Sequence, residues 1–123
     1  MNKLWDETPE MVSEQNEFIR QLDHLQKEIH QWAKDKGLVR PDRSDAEIIA
    51  LCHSELSKTL EGIRKQVGAS DHIPDFTNLE EAIADLIIRF MDWAGGKNLR
   101  IGRAIVAKMR FNETRPHKHG KLI

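Results

Sequence analysis

Four stretches of helically spaced apolar residues, separated by glycine-, proline- and aspartate-marked breaks, make up most of this chain. The first stretch opens at Thr8, a hydroxyl placed to cap a helix whose first position is Pro9. Phe18, Leu22, Leu25, Ile29 and Trp32 then recur at three- and four-residue steps, predicting a helix over about 9–36 that Gly37 stops. The second opens on a capping box, Ser44 with Glu47, and carries Ile49, Cys52, Leu56, Leu60, Ile63 and Val67 as far as Gly68. That spacing predicts a helix over 45–67. After the loop GASDHIPDF, Thr77 with Glu80 or Asn78 with Glu81 offers a third capping box. The stretch from Leu79 to Ala94 is apolar almost all round, which predicts a central helix over 78–94 ended by Gly95-Gly96. A fourth helix is expected over 98–114, with Ile101, Ile105 and Met109 facing inward, before Pro116 and an irregular tail. No strand-like alternation or repeat interrupts this reading. The expected fold is all-α, a four-helix bundle in a single domain spanning 1–123.

Composition narrows the classes. With 39% hydrophobic and 32% charged residues the chain reads as a globular domain. Its most apolar run, Ile83 to Ala94, is interrupted by Asp85, Arg89 and Asp92, so no membrane span is expected. The opening residues MNKLWDETPE carry no apolar signal segment, and a lone Cys52 permits no internal disulfide; a cytoplasmic location is the expectation. Cys52 lies on the apolar stripe and reads as a small buried hydrophobe, and Trp32 and Trp93 read as core.

Charge is unevenly placed. The net value is −1, yet residues 97–123 hold eight Lys/Arg against one acid, Glu113, a surplus of +7 that leaves −8 on the rest. Such a segment meets either phosphates or the protein's own acidic helices.

Three polar stripes interrupt the apolar pattern. Glu55 sits beside Leu51, Cys52, Leu56 and Thr59, at the edge of a buried face, where a carboxylate must be neutralised, paired or given a cation. Asp85, Arg89 and Asp92 fall at i, i+4 and i+7, extended one turn back by Glu81. They form either a narrow solvent face or, with Asp85 opposite Glu55, a hard-oxygen site suited to Mg²⁺. Lys108, Asn112 and Arg115 repeat the spacing in the last helix, as a solvated basic face or as groups for phosphate oxygens and a base or sugar edge. His117 and His119 lack neighbouring ligands, and His53 points away from Glu55.

The runs ALCHSELSKTLEGIRK (50–65), EEAIADLIIRFMDWAG (80–95) and KMRFNETRPHKHGKLI (108–123) resemble short, stand-alone MazG-like proteins of the all-α NTP pyrophosphatase superfamily. The likeness extends over residues 44–123. Its most specific part is the closing N-x-x-R-P-x-x-H-G-K pattern, Asn112 to Lys121. The resemblance implies a MazG-type helical bundle that hydrolyses a nucleoside triphosphate to monophosphate and pyrophosphate. It further implies Mg²⁺ held by E-x-x-E and E-x-x-D motifs, assembly as a homodimer or homotetramer, and no nucleic-acid partner. Carried over by position, Glu55 and Asp85 match as metal-ligating catalytic residues, and Lys108, Asn112 and Arg115 as substrate-binding ones. Two positions depart from the pattern: Lys58 and Ala82 stand where glutamates are expected. Either Glu81 reaches the same cation from one residue away, or Lys58 replaces the cation and leaves a nucleotide-binding or interaction module without catalysis.

Overall fold

The computed structural model describes residues 2–66 and 68–120. Val67 and, in the closing pattern, Lys121 lie outside the described residues, as does the side chain of His119. Four helices account for most of the chain: α1 (Pro9–Asp35), α2 (Asp45–Arg64), α3 (Asn78–Gly96) and α4 (Ile101–Glu113), followed by a 3₁₀ turn, His117–Gly120. The described residues contain no strand, only a single antiparallel bridge between Ala69 and Thr77.

Each of the first three helices begins where local chemistry dictates. Thr8, Ser44 and Thr77 accept hydrogen bonds from the backbone N–H groups of Met11, Glu47 and Glu80, and Glu80 returns the bond to Thr77. The ends share a different device. Gly37, Gln66 and Asn98 all adopt left-handed φ angles, of 71°, 53° and 55°. After α1, Leu38 N–H reaches Ala33 C=O; after α3, Leu99 N–H reaches Ala94 C=O, both at 2.9 Å. These six-to-one bonds satisfy carbonyls that the helix leaves unpaired.

The device explains where the observed bounds differ from the expected ones. α2 ends at Arg64, before Gly68, because Gln66 takes the left-handed position. α3 runs through Gly95 and Gly96 because its reversal is made at Asn98, which delays α4 to Ile101.

The helices pack in the order α2–α3–α1–α4, an open row in which α3 lies on α1 and α2, and α4 lies on α1. α3 runs antiparallel to α2: Asp45 at the start of α2 bonds Trp93 and Lys97 at the end of α3. Along α1, α3 covers the C-terminal half and α4 the N-terminal half. Both contacts depend on glycine. A Cβ on Gly95 would stand 2.7 Å from His30 Cβ and 3.0 Å from Gln26 O, and one on Gly102 would stand 3.3 Å from Ile19 Cα.

This arrangement corrects several inward-facing assignments. On α1 the buried positions are Met11, Gln15, Gln26 and Ala33, while Leu25 and Trp32 are exposed. Two glutamines sit in that stripe: Gln15 is satisfied at both ends by Asp6 C=O and Arg110, and Gln26 donates to Leu99 C=O while its Oε1 is buried without a donor. Trp32 is therefore not core, and Trp93 is half-buried with its Nε1 donating to Asp45 at 2.8 Å. On α4 the buried pair is Gly102 and Val106, with Ile105 exposed. Cys52 is buried beside Ile48, as its place on the stripe predicts.

The last half of α3 is anchored by one carboxylate. Asp92 is only 7% exposed, and it accepts from His30 Nδ1 and Arg43 Nη1, each at 2.8 Å. No described helix is long and apolar enough to cross a membrane. In contrast to the anchored side, Ile49, Leu56, Leu60 and Ile63 of α2 and Ile83, Ile87 and Phe90 of α3 are 42–56% exposed.

Two substitutions test this packing. Asp92→Ala leaves the half-buried Arg43 and His30 without their acceptor and is expected to cost about 1.5–3 kcal/mol. Gly95→Ala should cost about 1–3 kcal/mol through overpacking against His30. Urea denaturation monitored by helical circular dichroism measures both; a loss below half a kcal/mol for Asp92→Ala would show that the anchor is dispensable.

Candidate functional site

Glu55 on α2 and Asp85 on α3 meet where the two antiparallel helices run side by side. Both line two cavities of about 540 Å³ each, one on either side of the pair. The first cavity lies toward the α2–α3 loop and includes Lys58, Gln66, Asn78, Glu81 and Ala82. The second opens toward α1 and includes Trp32, Leu38, Arg40, Arg43 and Arg89. Helical geometry explains the meeting. Asp45 lies opposite Trp93 and Lys97, so ten residues further along α2, Glu55 reaches the level of Asp85 on its antiparallel neighbour.

The electrostatics are those of crowded carboxylates. Asp85 stays exposed, yet partial desolvation first, then the charges of Glu81 and Glu55, push it above the usual aspartate range, with only partial relief from Arg89 and His72. Glu55 is 26% exposed at its side chain, and its ion-pair partner is Lys58, one turn away at 3.8 Å. Lys58 is itself 73% exposed, so the contact is peripheral and contributes a few tenths of a kcal/mol at most. Among the described residues neither Glu55 nor Asp85 is salt-bridged to an arginine, although Arg89 lies one turn along from Asp85. Arg89 instead turns its Nε into an enclosed position with no hydrogen-bond acceptor.

Glu81 is held by the loop that precedes α3. Ser70, 2% exposed, donates its hydroxyl to one carboxylate oxygen, and His72 Nδ1 bonds the other at 2.6 Å. Ser70 Oγ also accepts from the N–H groups of His72 and Ile73, both at 3.1 Å. These partners hold Glu81 below the usual glutamate range, the Ser70 bond contributing most, and Glu81 raises the His72 imidazole above 6.5. The clasp was missed in the sequence because Ser70 and His72 lie in a segment that shows only as a loop. Among the described residues no three His, Cys, Asp or Glu side chains gather closely enough to enclose a metal ion unaided.

Lys108, Asn112 and Arg115 lie elsewhere. Their helix packs on the first half of α1, where Arg110 bonds Gln15, whereas the carboxylates share a cavity with Trp32. Seventeen α1 residues separate those two levels, about 25 Å at 1.5 Å per residue. The α4 groups form their own cluster: Lys108 Nζ and Arg115 Cζ lie 4.7 and 5.7 Å from the centre of the Phe111 ring. Asn112 Oδ1 is buried with no donor facing it. α4 thus docks on the first half of α1 and not on the Glu55–Asp85 cleft, while Lys97, ahead of it, pairs with Asp45 of α2.

Compared with known proteins, the chain matches no protein-family model, no curated protein and no solved structure.

The clasp gives a pH-dependent observable. The raised His72 pKa contributes stability that is complete below 6.5 and fades as pH rises through the folded value. The depressed Glu81 pKa contributes stability present above 4.5 and lost as pH falls through its folded value. The loop is therefore held best between these limits, in mildly acidic solution. NMR titration should place the His72 midpoint above 6.5 and return it toward 6.5 in Glu81→Gln; an unchanged midpoint in the variant would show that Glu81 does not hold the ring.

Proposed function

We propose that this chain is a MazG-like, Mg²⁺-dependent nucleoside triphosphate pyrophosphohydrolase, releasing nucleoside monophosphate and pyrophosphate, that works as a cytoplasmic homodimer or homotetramer. The observation that carries this reading is the Glu55–Asp85 pair, contributed by two antiparallel helices and set between two cavities of nucleotide scale.

The donor chemistry fits a divalent cation. Asp85 lies under only partly relieved repulsion from Glu81 and Glu55, and a hard cation between oxygen ligands removes that repulsion. Glu55 and Asp85 would hold Mg²⁺, with Glu81 available on release of His72. Bound there, Mg²⁺ supplies Lewis-acid polarisation of a phosphoryl group and lowers the pKa of an attacking water. The chain's own residues do the rest. In the α1-side cavity, Arg89 lines the wall as a cation for an anionic oxygen, and Trp32 offers an exposed aromatic face for a base.

The position of α4 supports a shared site. Lys108 and Arg115 are suited to neutralising phosphate charge, yet lie about 25 Å along α1 from their own carboxylates. The exposed apolar residues of α2 and α3 are of the kind that a second copy covers. In such an assembly the α4 groups of one copy serve the carboxylates of the other, and the donor missing at Asn112 Oδ1 comes from the nucleotide or the partner.

A second reading rests on the 3.8 Å contact between Lys58 and Glu55. There Lys58 stands in for the cation, and the protein binds nucleotides or partners without cleaving them. The two readings separate on a panel of canonical and modified NTPs assayed for pyrophosphate with and without Mg²⁺. The hydrolase reading expects turnover that Asp85→Ala lowers at least about 100-fold, near 3 kcal/mol of transition-state stabilisation, and that Lys58→Glu raises through tighter Mg²⁺ binding. Absence of turnover across the panel, with melting indifferent to Mg²⁺, overturns it.

Sharing between copies has its own test. Mixing Asp85→Ala with a Lys108→Ala/Arg115→Ala variant should restore up to about a quarter of wild-type activity, since half the mixed dimers' sites are intact. No recovery after exchange of subunits would place both sets of residues in one chain's site.

A further inference from the structure

The groove between α1 and α4 is unused by the function proposed above. It encloses about 880 Å³, shares no lining residue with the cavities at Glu55 and Asp85, and lies along the other half of α1. Its walls carry four cations, Arg20, Lys27, Arg103 and Arg110, against one acid, Asp23. The floor is apolar, formed by Ile19 and by Val106, which is buried. The two helices cannot slide together to fill the groove, because Gly102 already seats the α4 backbone directly on Ile19.

The four cations are not equivalent. Arg20 is paired with Glu17, and Arg110 is held by Gln15 and the Trp5 carbonyl. Lys27 and Arg103 have no ion pair and no side-chain hydrogen bond among the described residues. A groove with two uncommitted cations beside two committed ones, and with charged walls, is a poor match for an apolar helix of a second copy. The positive surplus and the guanidinium of Arg103 match phosphate oxygens. Two free cations suit one compact polyphosphate group and are too few to follow a nucleic-acid backbone, whose binding draws on many phosphate contacts.

We infer that the α1–α4 groove is a second, metal-independent anion site that takes a small organic polyphosphate, with Lys27 and Arg103 gripping its phosphates and the Ile19–Val106 floor receiving its apolar part. The site acts apart from the carboxylate cleft and does not require that cleft to be catalytic.

Isothermal titration of the full chain with inorganic tripolyphosphate in EDTA tests this, because chelation silences any Mg²⁺-dependent binding at Glu55 and Asp85. One site per chain is expected, weakened at least tenfold by Lys27→Ala and by Arg103→Ala, weakened further by added salt, and unchanged by Glu55→Gln. Both groove variants alter solvent-facing side chains, and unchanged circular dichroism and melting confirm their fold. Three outcomes overturn the inference: no detectable binding, binding indifferent to both groove variants, or binding abolished by Lys108→Ala/Arg115→Ala while the groove variants keep it. A single-stranded oligonucleotide that binds more tightly than tripolyphosphate overturns the assignment to a small ligand.

Discussion

A carboxylate withdrawn from water must find positive charge or hydrogen-bond donors, and Asp92 finds both. His30 of α1 and Arg43 of the α1–α2 connection approach its two oxygens at equal distance. That shared anion fastens three separate parts of the chain at one point. It sets the level at which α3 meets α1, and Gly95, one turn away, sets how close they come. Because α2 is in turn tied to the end of α3 through Asp45, the same point determines which residues of α2 and α3 face each other. Glu55 and Asp85 share a cleft as a consequence of contacts made two turns away from them. The energetic logic is that of a buried ion cluster: it adds modest net stability when intact and penalises any arrangement that breaks it, which makes it a device for register.

What could be read from residues alone was what is local. Caps at Thr8, Ser44 and Thr77 act over three residues, and the structure forms all three. Helical spacing likewise brings Glu55 and Asp85 to neighbouring faces once α2 and α3 are antiparallel. What escaped was decided over long separations or by residues out of character. Asp92 reads as the last member of the Asp85–Arg89 stripe, yet its partner His30 is 62 positions away. Gln66 and Asn98 end helices as glycine would, so the adjacent glycines mislead by two or three residues. Gln15 and Gln26 occupy core positions with partners far along the chain, Arg110 and the Leu99 carbonyl, which hides the true inner stripe of α1. Spacing within α4 gives the cluster of Lys108, Asn112 and Arg115 but cannot say which half of α1 the helix will cover.

The open row of helices also explains the divided character of the surface. A closed bundle would hide the apolar faces of α2 and α3 inside one subunit. Here they remain outward, while the polar seam between the same helices holds the carboxylates. Apolar exposure and charged cleft therefore sit side by side, so that association through the first would enclose the second and lower the dielectric around Asp85. In the proposed assembly, ionisation of that cleft would be coupled to association through burial, without any contact between ionising groups and a partner.

The joint between α3 and α4 has a mechanical consequence. Only Lys97 to Arg100 connect the two helices, and this turn rests on α1 through Gln26 Nε2, which donates to Leu99 C=O at 2.8 Å. Gln26 thus acts as a fulcrum under a four-residue hinge, with α1 the beam shared by both arms. The molecule is accordingly built as two arms borne on one beam, the α4 arm seated on it through Gly102 at Ile19 and Arg110 at Gln15. A single extra turn in α1 ahead of Gln26 would carry Ile19 and Gln15 about 5 Å past their partners Gly102 and Arg110 and leave the α3 contacts in place.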